Sequence, residues 1–227
     1  MATHLDLLTQ NPVFGVLPKP KLEMLLQLAI LRKYQKGQSI SRVGDIWPYF
    51  FLVVSGSIQA LKYSAEGRSL VVTTFKAGDI FWGVAFFYEN LPMPVSLETD
   101  AVSKILLWSA EQMHPFLKEN GQFSWELSRL MIGKMARASE ILEEMAFQPV
   151  AGRLAKLLME TGQNEKMGVI QRSLTLDEMA ARIGSTREMV CRFLHRFADD
   201  GIIDITRTEY KIMDRHKLEY MVQRNKL

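Results

Sequence analysis

The chain has 227 residues, 48% hydrophobic and 23% charged, and a formal net charge of +3. This balance excludes a disordered or fibrous chain, and the length suffices for two modest domains, each with its own core. The longest apolar runs, such as FFLVV at residues 50–54, are too short to span a bilayer, and one cysteine, Cys191, excludes an internal disulfide framework.

The first residues, MATHLDLLTQNPVFG, carry an early Asp6 and lack the charged-then-apolar plan of a secretory signal, so a cytoplasmic location with no membrane association is expected. A helix is predicted over residues 19–31 (KPKLEMLLQLAIL), begun near Pro20. Between Leu31 and Trp108, short β-rich runs are punctuated by turn glycines: KGQSI, VGDIW, SGSIQAL, EGRSLVVTTF and AGDIF. Short strands with regular turn signals and no helical period predict a barrel or sandwich of antiparallel strands.

From about Phe123 the pattern becomes that of one long helix. Met131, Met135, Ala138, Leu142 and Met145 recur at alternating steps of four and three, the period of a coiled-coil seam. Leu127, Leu130 and Ile141 form a second stripe on another face, suited to rest on the barrel. Two apolar stripes need two covers, so a homodimer is expected. The seam ends at Phe147-Gln148-Pro149, and Pro149 is placed to start the next helix, VAGRLAKLLMETG. The expected organisation is a sensing domain over 1–120, a dimerisation helix over 121–147 and a third segment over 148–227. That third segment holds 14 Lys and Arg against 11 Asp and Glu, the whole positive excess of the chain, which points it toward a polyanion.

Within it, QNEKMGVIQRS is a polar connection with a short strand. The next stretch, TLDEMAARIGSTREMVCRFLHRF, is at first sight one amphipathic helix, but Gly184 at its centre would cost about 1 kcal/mol relative to Ala. Thr175 with Glu178, and Ser185 with Glu188, each fit the S/T-x-x-E box that starts a helix. The segment therefore reads as helix, glycine turn, helix. Ala180 allows close approach, Val190 plugs the angle, and Met179, Ile183 and Phe193 fill the inner faces. GIIDITRTEYKIMD follows as a hairpin or wing turning near residues 207–209, and HKLEYMVQRNKL closes as a short helix.

With the apolar positions turned inward, Arg187, Glu188 and Arg192 share the exposed side of the second helix. Arginine paired to guanine O6/N7 and glutamate accepting from cytosine N4 are the expected major-groove contacts, beside a capping role for Glu188. Ser185, Thr186, His195 and Arg196 are candidates for phosphate contacts, which set register without reading sequence. Cys191 reads as a small packing residue. No P-loop, zinc-ligand spacing, G-x-S-x-G or acid pair occurs, so neither a catalytic residue nor a metal ligand is assigned.

Over nearly its whole length the chain resembles the Crp/Fnr family of bacterial transcription regulators, with STREMVCR matching the pattern S-R-E-x-V-x-R. The resemblance implies an α+β chain: an N-terminal antiparallel β-roll (a cyclic-nucleotide-binding-like jelly roll), a long dimerisation helix and a C-terminal winged helix-turn-helix. It further implies a homodimer on double-stranded DNA, RNA polymerase as partner, and activation of transcription. Arg187, Glu188 and Arg192 fall on the positions that read a TGTGA-like half-site in the cyclic-AMP receptor branch.

The sensor half departs from that branch. Where cyclic-nucleotide binders carry G-D-x-F-G-E-x-A and then P-R-S-A, this chain has GDIFWGVAFFYENLPMPVS. Trp82 stands for the Gly, Gly83 for the ribose-binding Glu, Met93 for the phosphate-binding Arg and Pro94 for the Ser. Losing the Arg removes a charge-assisted partner, and Pro94 lacks an N–H donor, so cyclic AMP is not the expected effector. Phe81, Trp82, Phe86, Phe87 and Met93 are expected to form one apolar lining, either open to a hydrophobic or aromatic effector or packed shut. None of His4, His114, His195 and His216 lies in the roll strands, and one cysteine cannot hold an iron–sulfur cluster, so no haem or other cofactor is expected. Two other functions stay open at this level: a regulator controlled by its abundance alone, and a nucleotide-binding regulatory subunit of an enzyme.

Overall fold

The computed structural model describes residues 4–161, 169–171, 174–206 and 208–223. Two compact units emerge, Met1–Lys62 with Val72–Ala136, and Tyr63–Val71 with Arg137–Leu227.

The first unit opens with two helices, α1 (His4–Gln10) and α2 (Lys19–Leu28), followed by β1 (Ile30–Tyr34), β2 (Ser39–Ser41), β3 (Tyr49–Ser55), β4 (Ser57–Tyr63), β5 (Ser69–Lys76) and β6 (Ile80–Trp82). A 3₁₀ turn (Val84–Phe86), β7 (Ser96–Thr99), β8 (Ser103–Ser109), α3 (Ala110–Glu119) and the long α4 (Gly121–Phe147) complete this part of the chain. The helix expected over 19–31 stops at Leu28, because Ile30 and Leu31 pair with Leu107 and Leu106 of β8 and that ladder outweighs local helical preference. The strands form two four-stranded sheets, β1-β8-β3-β6 and β2-β7-β4-β5, in an antiparallel roll.

Both faces of the first sheet are covered, which is why β3 reads as an unbroken apolar run rather than an alternating one. Phe51, Val53, Ile105 and Leu107 point between the sheets, against Ile58, Ala60 and Leu97. Phe50, Leu52, Leu106 and Trp108 point the other way, into a core closed by helices through Leu8, Leu25, Phe116, Phe123 and Leu127. The helices are anchored by polar contacts. Trp108 Nε1 donates to the Leu25 carbonyl at 2.8 Å, while buried Asn11 accepts from the Val13 and Phe14 amides and donates to the Gly78 carbonyl at 2.8 Å. Ser109 starts α3 with a complete capping box to Gln112.

The second unit contains α5 (Val150–Thr161), β9 (Val169–Gln171), α6 (Leu176–Ile183), α7 (Arg187–Asp199), β10 (Ile203–Ile205), β11 (Glu209–Ile212) and α8 (Arg215–Gln223). Leu154, Leu158, Met179, Val190, Leu194, Phe197 and Leu218 share one core. The expected hairpin is β10–β11, and β9 joins it in a three-stranded sheet ordered β10-β11-β9. Tyr210 ties the sheet to α5 by donating to the Leu158 carbonyl at 2.9 Å. Arg207, named in the expected turn, and most of the polar connection before α6 lie outside the described residues.

The β3–β4 turn tests this packing. Gly56 has φ +86°, and a Cβ there would sit 2.4 Å from the Val102 carbonyl oxygen. Gly56→Ala is expected to destabilise the first unit by about 2 kcal/mol or more, read as a lower denaturant midpoint in tryptophan fluorescence.

Candidate nucleic-acid interface

The turn between α6 and α7 decides where α7 points. Thr175 caps α6 with the expected reciprocal bonds to Glu178. At the other end Gly184 adopts the left-handed conformation (φ 61°), and its amide and that of Ser185 both converge on the Ala180 carbonyl. Ser185 is thereby committed to closing α6, so the cap of α7 is Thr186, whose hydroxyl accepts from the Met189 amide at 3.3 Å. This corrects the second capping box expected from sequence by one residue: Glu188 sits at the second helical position. Its carboxyl is held below the usual range by its own backbone amide and then by the Thr186 hydroxyl, so near neutral pH it is an acceptor only.

Val190, Leu194 and Phe197 anchor α7 in the core, and Arg187, Glu188, Arg192, His195 and Arg196 are exposed on the other side. Leu176, Arg187, Glu188, Cys191, Arg192 and His195 line an open groove of about 500 Å³. Arg192 places one nitrogen 2.7 Å from the Met189 sulfur and its guanidinium 5.6 Å from the centre of the Phe193 ring. Arg187 instead donates to the Asp177 carboxylate across the turn at 3.3 Å. Arg196 pairs with Asp200 at 3.8 Å. Ser185 and Thr186 are half-buried in the turn.

Arg153 on α5 is a structural residue with no local signal in the chain. Its guanidinium donates to the carbonyls of Gln148 (2.6 Å) and Met145 (3.5 Å) at the end of α4, and of Ile183 (2.8 Å) and Gly184 (3.4 Å) at the end of α6. A cation is favoured where two helix C-termini meet, and burial, partly offset by Glu144, pulls this group below the ordinary arginine range.

The residues of the expected seam on α4 differ in exposure within the chain. Met135 (71% exposed), Leu142 (69%) and Ala138 face outward, but Met131 is half-buried against the helix-covered core and Met145 is half-buried beside Gly184. Trp125 (63%) and Ile132 (66%) are exposed instead, and 125, 128, 132, 135, 139 and 142 continue steps of three and four.

The single apolar lining expected in the roll does not form, because alternation along β6 sends neighbouring aromatics to opposite faces. Phe81 and fully buried Met93 belong between the sheets, whereas Trp82 and fully buried Phe86 pack into the helix-covered core, Phe87 is partly exposed and Pro94 is exposed. Phe81 packs 4.9 Å from Phe75 and 5.7 Å from Phe51, ring centre to ring centre. Gly83 lies so close to Trp47 that a Cβ would fall 1.8 Å from its carbonyl oxygen. Trp47, missed in the sequence, thus covers the position where the family resemblance places a ribose-binding glutamate.

Two family models match: a cyclic nucleotide-binding domain over residues 31–120 and a Crp-like helix-turn-helix domain over residues 152–221. The chain belongs to the Crp/Fnr family of transcription regulators. Among relatives of this Crp/Fnr protein, a CRP-like cAMP-activated global transcriptional regulator of Mycobacterium tuberculosis is 23% identical over 219 residues, covering 94% of this chain and 97% of that one. The cAMP-activated regulator CRP of Haemophilus influenzae is 23% identical over 188 residues, 81% and 84% of the two chains. Two solved structures share the fold. The c-di-GMP responsive regulator CLP of Xanthomonas campestris has a TM-score of 0.77 at 19% identity, over 86% of this chain and 99% of its own. A Crp/Fnr-family regulator of Thermus thermophilus has a TM-score of 0.66 at 20% identity, over 86% and 98%. The Crp/Fnr protein is thus a DNA-binding transcription regulator and not an enzyme.

Arg153→Ala would leave the carbonyls at two helix ends without their cationic donor. The expected cost is about 2–3 kcal/mol, read as loss of amide hydrogen-exchange protection in α6 and the start of α7.

Proposed function

We propose that the protein is a cytoplasmic homodimer that places one α7 in the major groove of each half of a palindromic TGTGA-like site. The observation that carries this reading is the sidedness of α7: Val190, Leu194 and Phe197 are buried while Arg187, Glu188 and Arg192 stand together on the exposed groove. Twofold symmetry sets two such helices roughly 34 Å apart, one turn of DNA, and makes the site palindromic. Ser185, Thr186, His195 and Arg196 serve phosphates, with Arg196 exchanging Asp200 for the backbone. RNA polymerase is the partner through which bound dimers activate transcription. No helix among the described residues is long and apolar enough to cross a membrane.

In this reading the dimer forms along α4 through Trp125, Ile132, Met135 and Leu142, whose exposure within one chain is the opposite of what large apolar side chains favour. The roll does not take cyclic AMP. Support comes from the Phe51, Phe75 and Phe81 cluster between the sheets, from Trp47 over Gly83 and from the absence of an arginine at Met93. Control by abundance, or by an effector of different chemistry, takes its place. No cofactor is assigned.

Gel-shift titration with a TGTGA palindrome tests DNA reading. Arg192→Ala is expected to weaken binding by about 10- to 100-fold, corresponding to about 1–3 kcal/mol, with the loss confined to duplexes that keep the guanine it reads; undiminished binding would remove α7 from the groove. Leu142→Asp is expected to shift the protein to monomer in sedimentation and abolish binding to the palindrome. Isothermal titration with cyclic AMP is expected to show no heat of binding up to millimolar concentration.

A further inference from the structure

We propose that Asp177 is a positioning residue for base reading, holding the Arg187 guanidinium at the mouth of the α7 groove so that it meets a guanine edge rather than a phosphate. The proposal rests on α7 being the recognition helix and deepens it by separating the two reading arginines.

Arg187 is the first residue of α7, on a long side chain that is 61% exposed. Left alone, such a side chain has two anionic or electron-rich targets on a duplex: phosphate oxygens, which occur at every step, and guanine O6/N7, which does not. The carboxylate of Asp177, in the first turn of α6, lies 3.3 Å from Nη1. That contact engages one end of the guanidinium and leaves its other N–H donors for a base. Asp177 also repels any phosphate that Arg187 would approach, so it penalises the sequence-independent contact and spares the specific one.

The neighbouring carboxylates have other roles. Glu178 completes the Thr175 cap, and Glu188 is held by its own amide and Thr186. Leu176, beside Asp177, forms part of the groove wall, which sets the start of α6 next to the reading face. Arg192 lies on the Met189 sulfur and the Phe193 ring, with no ion pair among the described residues. The two arginines are therefore supported by different chemistry, and removing the Asp177 charge should act on one of them alone. As an exposed pair it contributes little to folding.

The test uses full-length protein. Wild type first enriches duplexes from a random pool, and each half-site base pair of the winning duplex is then substituted in turn. Binding of wild type, Arg187→Ala, Asp177→Asn and Asp177→Glu is measured by fluorescence anisotropy across a salt series, with melting curves as a folding check. At the position where Arg187→Ala loses discrimination, Asp177→Asn is expected to lose about 5- to 10-fold. Other positions should hold, while binding to unrelated duplex tightens about threefold with a salt slope steeper by about one. Asp177→Glu, which keeps the charge, should retain most of the discrimination, and melting of both variants should stay within about 2 °C of wild type.

Unchanged discrimination in Asp177→Asn, with Arg187→Ala defective, overturns the positioning role while leaving the recognition helix in place. A loss spread evenly over all positions, or shared by Asp177→Glu, also overturns it, since that is what a general structural defect produces. Failure of wild type to enrich any sequence removes the recognition-helix reading itself, and this proposal with it.

Discussion

Two backbone amides converging on the Ala180 carbonyl fix the chemistry that α7 displays. They end α6 in a left-handed glycine, commit Ser185 to the outgoing turn and leave Thr186 as the cap. Gly184 is constrained sterically as well as torsionally: an added Cβ would lie 3.2 Å from the Met145 methyl group and 3.4 Å from a Leu70 methyl. Arg153 adds an electrostatic tie, joining the carbonyl ends of α4 and α6 through one guanidinium. The exposed arginines depend on a turn whose own stability comes from backbone carbonyls.

A different constraint governs the roll. β3 and β8 are walls shared by two cores, one between the sheets and one under the helices, and successive side chains alternate between them. An aromatic-rich sequence is thereby divided into two stacks rather than gathered around one cavity. Lys134, half-buried with its ammonium 5.0 Å from the centre of the Phe75 ring, gives the inter-sheet stack a cationic neighbour on α4, and burial lowers its pKa despite the opposing influence of Asp79.

Much of this was legible in the chain itself. The strand-rich stretch, the long helix, the break between helices at Pro149, the glycine turn and the hairpin all carry local signals of period, cap or turn, and those signals act over a few residues; the two compact units divide elsewhere, between Ala136 and Arg137. The exposed face of α7 was legible for the same reason. Contacts distant in sequence were foreseen unevenly: Leu127 and Leu130 pack on the roll as expected, but other expectations did not hold. The extension of α2 through Leu31 was lost to pairing with β8, and the shared lining to alternation against two cores.

Sequence by itself determined the kinds of element, their order and the turn chemistry at Gly184, because these follow from backbone preferences and from apolar period. Only tertiary structure decided which carboxylate stands beside Arg187, which carbonyls Arg153 collects and which face each roll aromatic occupies. The Asp177–Arg187 pair crosses a turn, the Arg153 bonds reach from Met145 to Gly184, and the roll aromatics divide between two cores assembled from distant strands and helices, so no local propensity encodes them.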